Sequence, residues 1–257
     1  MSDADFRNRL FLGDCIEGMT ALPNGSVDHV IADPPYSDYV HKMVPRRGST
    51  PGWGEQKNRR ASISRARDLN FTAIQPETMR CAAQHFARIA KRWVVIFTCA
   101  ELIGEWRSSL EASGLEAVRV GAWIKKGAAP QFTGDRPGVG FEAIVIAHSP
   151  GRKRWNGGGR SALWSVPIVL NRGGKTPRLH TAQKPEELME ALIRDFTDPG
   201  ELICDPFAGS GTTLVAAKRD GRAFVGWEQD EKWFETASAR LRETVERIDL
   251  FATPGVI

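Results

Sequence analysis

The sequence has only four cysteines, Cys15, Cys81, Cys99 and Cys204, spread along 257 residues with no CxxC and no Cys/His pairing. That scarcity argues against zinc and against a disulfide framework. Cys99 and Cys204, in or beside apolar runs, read as small buried hydrophobes. No apolar run approaches membrane-spanning length. The first twenty residues mix Asp, Arg and Glu with apolar side chains, so no signal peptide is drawn and a cytoplasmic protein is expected. Also missing are internal repeats, the GxGxxG of dinucleotide folds and the GKS/T of a phosphate loop.

Acid is scarce in two places. Residues 41–67 carry eight Lys/Arg against one acid, Glu55, and residues 151–185 carry eight more with no acid. The whole chain has a formal charge of only +4, so the remainder is net acidic. Basic charge gathered in two segments of an otherwise acidic protein is the footprint of a polyanion-binding surface. Both segments lack helical or strand periodicity and are rich in Gly, Ser, Arg and Pro. Long irregular stretches inside a compact domain are commonly functional.

What is present is an alternation of short apolar runs and helix-like stretches, the pattern of an α/β protein with a largely parallel sheet. Strands are predicted at Arg9–Leu12, Val27–Ala32, Trp93–Thr98, Ala117–Ile124, Phe141–Ala147, Glu201–Asp205 and Ala223–Glu228. Helices are predicted near 76–91, 100–113, 185–197, 211–219 and 230–247. Leu188, Met189, Leu192, Ile193 and Phe196 share one helical face, and Trp233, Phe234, Ala237, Leu241 and Ile248 repeat the pattern. These stripes read as core packing.

Two strand ends carry chemistry. Residues 201–213 run from a strand through a Gly-containing turn into a helix, where Gly209 and Gly211 let the backbone approach a ligand. About twenty residues on, the next strand ends in Glu228, placed to accept both hydroxyls of a ribose. A nucleoside carried by a sulfonium needs that acid and no phosphate cradle. A plain structural turn explains the glycines equally well.

The second strand end is Asp33-Pro34-Pro35-Tyr36. Two prolines fix the backbone after a buried strand and leave an acid, a carbonyl and an aromatic ring on a rigid turn. This suits methylation of an aromatic amine, whose lone pair is delocalised and poorly nucleophilic. Asp33 and the Pro34 carbonyl can accept the two amine hydrogens, and Tyr36 can stack on a flipped base. No metal is required.

Together the motifs resemble the β-class DNA amino-methyltransferases, over residues 9–245. Asp33-Pro34-Pro35-Tyr36 matches that family's first motif, and Asp205-Pro206-Phe207-Ala208-Gly209-Ser210-Gly211 matches its C-terminal Gly motif. The resemblance implies S-adenosylmethionine as cofactor and double-stranded DNA as partner. It implies a Rossmann-like α/β fold, permuted in motif order, with a seven-stranded, mainly parallel sheet and one antiparallel strand. It also implies cofactor contacts from Asp14 and Cys15, from His180, Thr181 and Lys184 at the methionine end, and from Asp33, Asp205–Gly211, Thr212 and Glu228. Phe141–Ala147 resembles the strand near the target-base pocket.

A single catalytic domain is expected over residues 1–257, with a mobile loop at about 37–70 and a target-recognition insertion at about 149–180. Candidate DNA contacts are Arg46, Arg47, Arg59, Arg60, Arg152, Lys153, Arg154, Arg160 and Arg172, with Trp155 and Trp164 either reading bases or packing locally. Asp at the first motif position usually accompanies adenine N6, and Ser accompanies cytosine N4. Adenine is therefore expected, with cytosine as the alternative. Related enzymes are often dimers and some accompany a restriction nuclease. RNA or protein amides, and a non-catalytic DNA-binding role, are the rival readings.

Overall fold

The computed structural model describes residues 3–36, 73–128, 137–169 and 183–247. Within them lie eight strands: β1 (Arg9–Leu12), β2 (His29–Ala32), β3 (Trp93–Thr98), β4 (Glu116–Lys126), β5 (Phe141–His148), β6 (Leu163–Pro167), β7 (Leu202–Asp205) and β8 (Ala223–Glu228). The helices are α1 (Asp3–Phe6), α2 (Cys15–Thr20), α3 (Pro76–Ile89), α4 (Ile103–Ala112), α5 (Glu186–Phe196), α6 (Thr212–Arg219) and α7 (Glu231–Glu243).

One sheet takes them all in the order β1-β8-β7-β2-β3-β5-β4-β6. Only β5 runs against its neighbours, so the expected Rossmann-like architecture is present with one strand more than the seven anticipated. The extra strand, β6, falls in a stretch whose composition reads as irregular. Its alternation is carried by just two buried residues, Trp164 and Val166, and it ends in Pro167. A proline is tolerated there because β6 lies at the sheet edge.

The central strands are buried on both faces, which is why Trp93–Phe97 is a continuous apolar run. Alternate residues serve opposite layers. Val30, Val94, Ile96 and Val145 pack with Met79, Phe86, Trp106 and Leu110 of α3 and α4. Ile31, Val95, Phe97, Ile144 and Ile146 pack with Leu188, Leu192, Ile193 and Phe196 of α5 and with α6. The predicted face of α5 is therefore core.

The last helix departs from its predicted span. It ends at Glu243, with Ala237 and Leu241 buried and Trp233 and Phe234 half-buried. Ile248 lies outside the described residues. Cys204 is buried as expected, whereas Cys99 is only half-buried. Among the described residues no helix is long and apolar enough to cross a membrane.

Parallel order places the carboxyl ends of β1, β8, β7, β2, β3 and β4 on one edge of the sheet. Antiparallel β5 delivers its first residues to that same edge. The segment after β5 consequently emerges on the opposite edge, beside the start of β3, where His148 pairs with Trp93.

Candidate active site

β2 and β7 are neighbours, with Val30 opposite Cys204. The Asp33 turn and the Asp205 turn therefore leave the sheet side by side, although they are far apart in sequence. β8 follows β7, and Glu228 stands opposite Leu12 of β1. The carboxyl edge thus presents Asp14, Glu228, Asp205 and Asp33 in spatial order.

At the β7 end, Asp205 is 1% exposed. Its Oδ1 accepts the Phe207 N–H at 3.1 Å, and Thr213 adds a side-chain hydrogen bond. Burial dominates even so and pushes its carboxyl up to about 7. Gly209 and Gly211 both have positive φ (52° and 76°). A side chain at Gly211 would place Cβ 2.8 Å from the Ala237 Cβ, so only glycine lets α6 pack on α7 here. Glu228 closes the turn: one carboxylate oxygen accepts the Gly209 N–H at 2.7 Å and the other the Asp230 N–H at 2.8 Å. Burial raises the Glu228 pKa. Pro206, Ala208, Ser210 and Thr212 are buried within the turn, and Phe207 is half-buried.

The stability consequence of Asp205 has a definite sign. Its pKa is raised in the folded protein, so its contribution is full below the ordinary carboxyl value of 3.8 and is lost as pH rises through about 7. The span corresponds to a loss on the order of 4 kcal/mol. Asp205→Asn should therefore flatten the decline in urea midpoint between pH 5 and 8. A variant whose midpoint declines like the parent would remove Asp205 as its cause.

Asp14 caps α2, its Oδ1 accepting the Ile16 and Glu17 N–H groups at 2.7 and 3.1 Å. Burial pushes the Cys15 thiol up to about 12. Leu12, Gly13 and Asp14 line, with Phe11, Gly18 and Trp227, a cavity of about 360 Å³. His180 and Thr181 lie outside the described residues.

At the β2 end, the Asp33 side chain is 24% exposed and meets Lys184, which is 6% exposed. The Lys184 Nζ donates to Asp33 Oδ1 at 2.7 Å, to Oδ2 at 2.6 Å and to the Tyr36 hydroxyl oxygen at 3.0 Å. The same ammonium lies 3.1 Å from Glu142 Oε2 and 5.2 and 5.0 Å from the ring centroids of Tyr36 and Phe97. Tyr36 donates to Glu142 Oε2 at 2.7 Å, with Asp33 Oδ1 at 3.2 Å. Lys125, at the end of β4, reaches Glu142 Oε1 at 2.6 Å. The result is an alternating row, Asp33, Lys184, Glu142, Lys125, with the Tyr36 hydroxyl bridging the two acids.

Electrostatics follow from that row. Burial raises the Asp33 pKa against the opposing pull of Lys184, and Glu142 raises it further. Burial disfavours the Lys184 ammonium, but the Asp33 and Glu142 carboxylates outweigh it and the net shift is upward. Burial likewise opposes the Glu142 carboxylate, yet Lys184 and Lys125 hold it down at about 2. Tyr36 is raised well above its usual value by burial and by both acids, so it stays a neutral donor.

The site adds to the sequence-based expectation in two ways. Lys184, assigned to the cofactor on resemblance, contacts the Asp33 carboxylate. Glu142 was not singled out, although an acid in second place in the apolar strand Phe141–His148 is a usable signal.

The proposed DNA-contacting residues divide by position. Arg46, Arg47, Arg59, Arg60 and Arg172 lie outside the described residues. Arg152, Lys153 and Arg154 lie on the edge opposite Asp33, because β5 is antiparallel. Arg154 pairs with Asp198 at 2.9 Å, Lys153 with Glu116, and Arg160 with Asp195. Trp155 and Trp164 pack on Phe196, ring centroids 4.9 and 6.0 Å away. The Trp164 N–H donates to Asp195 at 2.8 Å. Of the two roles open to these tryptophans, the structure has local packing. Among the described residues no cluster of three or more metal-ligating side chains occurs.

Comparison with known proteins bears on the fold and the family. Residues 122–239 match the family model described as DNA methylase, N6_N4_Mtase. The chain is 26% identical to the type II methyltransferase M.HinfI of Haemophilus influenzae, covering 93% of this chain and 69% of that protein. Among solved structures, the M1.HpyAVI–SAM complex superposes with a TM-score of 0.65 at 24% identity, covering 91% of this chain and 98% of that one. The cytosine-N4-specific PvuII DNA methyltransferase superposes with a TM-score of 0.66 at 15% identity, covering 90% and 85%.

Proposed function

We propose that the chain is a member of the N6/N4 DNA methylase family, which its residues 122–239 match, and that it moves a methyl group from S-adenosylmethionine to the N6 amine of adenine in double-stranded DNA. The observation that carries this reading is the half-buried Asp33 carboxylate, set on a rigid Pro-Pro turn beside the Asp205 turn at one sheet edge.

The residues present fit that cofactor. Glu228 ends β8 with one carboxylate oxygen on the Gly209 N–H and the other on the Asp230 N–H, with Gln229 adding a backbone contact. A carboxylate's roughly four lone-pair sites leave room for a ribose hydroxyl. Gly209 leaves open space where a side chain would stand, its nearest neighbour being the Phe207 oxygen at 4.0 Å. The cavity flanked by Leu12, Asp14 and Trp227 lies beside them. Glu228, Asp14 and the turn Asp205–Thr212 would hold the nucleoside part. When bound, S-adenosylmethionine supplies an electrophilic methyl group, so no nucleophile of the protein has to be activated.

The chain's own task is to hold the amine. Asp33 Oδ and the Pro34 carbonyl accept its two hydrogens, orient its nitrogen and favour the pyramidal geometry that develops during transfer. The methylated nitrogen must shed a proton, and an Asp33 carboxyl raised by burial is suited to take it. Aspartate at the first motif position supports adenine over cytosine.

DNA contacts are assigned to Arg46, Arg47, Arg59, Arg60 and Arg172 on charge. The adjoining described residues, Tyr36 with Ile74 (N–H to carbonyl, 3.3 Å) and Gln183 before Lys184, lie at the Asp33 pocket. Arg152, Lys153, Arg154 and Arg160 are left out of that assignment.

The test is to incubate the protein with S-adenosylmethionine and unmethylated duplex DNA, then analyse the nucleosides by mass spectrometry. N6-methyladenine is expected. N4-methylcytosine, the alternative that the PvuII likeness keeps in view, would replace the base while keeping the chemistry. Neither product, from protein that binds the cofactor, would sink the proposal.

A further inference from the structure

We infer that Glu142 is a positioning residue for the transfer: it already accepts the Tyr36 hydrogen, and it is the alternative acceptor onto which Lys184 moves when a base amine engages Asp33. The inference rests on the function proposed above and assigns a task to a side chain outside its motifs.

The argument starts from capacity. A carboxylate offers about four lone-pair sites. The Lys184 Nζ takes one site on each Asp33 oxygen, at 2.7 and 2.6 Å, while the Tyr36 hydroxyl, whose single hydrogen goes to Glu142, stands 3.2 Å from Oδ1. An incoming amine hydrogen therefore competes with the ammonium for Asp33, and a buried ammonium displaced without another carboxylate is costly.

Glu142 removes that obstacle. Its Oε2 already stands 3.1 Å from Nζ and 2.7 Å from the tyrosine hydroxyl, closer to that hydroxyl than Asp33 is. The tyrosine hydrogen is already donated there, and the ammonium can shift to Glu142 without crossing the pocket or leaving a carboxylate. Glu142 itself is fixed from the other side by Lys125 at 2.6 Å. The Phe97 ring, 5.0 Å from Nζ, backs the ammonium in either place. Release of Lys184 also takes away the largest influence that favours an ionised Asp33. Asp33 is then a better proton acceptor at the moment the methylated nitrogen sheds one.

The same geometry excludes a purely architectural account of Glu142. An acid needed only to anchor β5 to β4 would be satisfied by Lys125 alone. Here one oxygen serves Lys125 and the other serves the two donors that Asp33 also uses.

The experiment compares wild type with Glu142→Gln and Glu142→Asp. Each is assayed for kcat and KM on duplex DNA, for S-adenosylmethionine affinity and for thermal stability. Glu142→Gln is expected to lose at least about tenfold in kcat with cofactor affinity retained, and Glu142→Asp to recover part of it. The acid limb of the kcat profile should move to lower pH in Glu142→Gln, because a negative charge that raises the Asp33 pKa is gone. A titration of the Asp33 carboxyl by carbon NMR, without cofactor or DNA, should move the same way. If Glu142→Gln does not fold, the Glu142→Asp kcat and its Asp33 titration carry the test. Active wild type with kcat and Asp33 titration unmoved in the folded variants overturns this inference alone. A wild type that methylates no DNA base overturns the proposed function and this inference with it.

Discussion

Asp33→Ala is expected to reduce turnover by on the order of a thousandfold, the size of effect seen when a preorganised polar group aimed at the reacting atom is removed. Folding should survive the change. Lys184 would lose its closest carboxylate but keep Glu142 at 3.1 Å and the Tyr36 hydroxyl at 3.0 Å, so no buried ammonium is stranded. Cofactor affinity should also survive, because the residues assigned to the nucleoside, Glu228 and the Asp205 turn, hold one another through the Gly209 N–H and not through Asp33. One change is expected to help binding slightly: Asp33 raises the Asp205 pKa, and that influence disappears. The check is single-turnover transfer beside equilibrium binding of labelled S-adenosylmethionine. Transfer at the parental rate would remove Asp33 from the chemistry, whereas loss of both transfer and binding would relocate it to the cofactor site.

The fold was largely readable because its signals are long and redundant. Trp93–Phe97 is buried on both faces, and Leu188, Met189, Leu192, Ile193 and Phe196 form one stripe. Such runs have few alternatives. The adjacency of the Asp33 and Asp205 strands was also open to reading, since a permuted order still leaves both loops at the carboxyl edge. β6 was hidden by its brevity, with two buried residues and a terminal proline.

The site was legible where motifs are contiguous and opaque where they are assembled. Asp33, Tyr36, Gly209, Gly211 and Glu228 announce themselves by local order. Glu142 and Lys125 do not, because what joins them to Asp33 is sheet topology: antiparallel β5 brings its first residues, and β4 its last, to the same edge. The same topology explains the placement of Arg152, Lys153 and Arg154. Their charge is visible in composition, but composition carries no information about which edge of the sheet a loop leaves from. At that edge Arg154 meets Asp198, which lies between α5 and β7, and Lys153 meets Glu116, at the start of β4.

Lys184→Met carries the second large effect, on stability as well as on activity. The substitution keeps most of the side chain's length and its place against Phe97 while removing the charge. Glu142 loses the largest influence that lowers its pKa but keeps Lys125 at 2.6 Å. Asp33 keeps only the tyrosine hydroxyl at 3.2 Å, with the Glu142 carboxylate nearby and no cation against it. Removing one partner of a buried pair costs about 3–5 kcal/mol when the other charge stays. Asp33 can limit that cost by taking up a proton. Its pKa, already raised by burial, loses its largest lowering influence and rises further. The sign for stability follows: a carboxyl whose folded pKa lies above its unfolded value is most favourable when protonated. The deficit of Lys184→Met against wild type should therefore be smallest in mild acid and grow as pH rises through the new Asp33 pKa. Activity should run the other way, being weakest in mild acid, where Asp33 is protonated and cannot accept the amine hydrogen. Urea denaturation and single-turnover rates across pH 5 to 9 separate the two trends. A stability deficit independent of pH would mean that Lys184 acts on Asp33 through packing and not through charge.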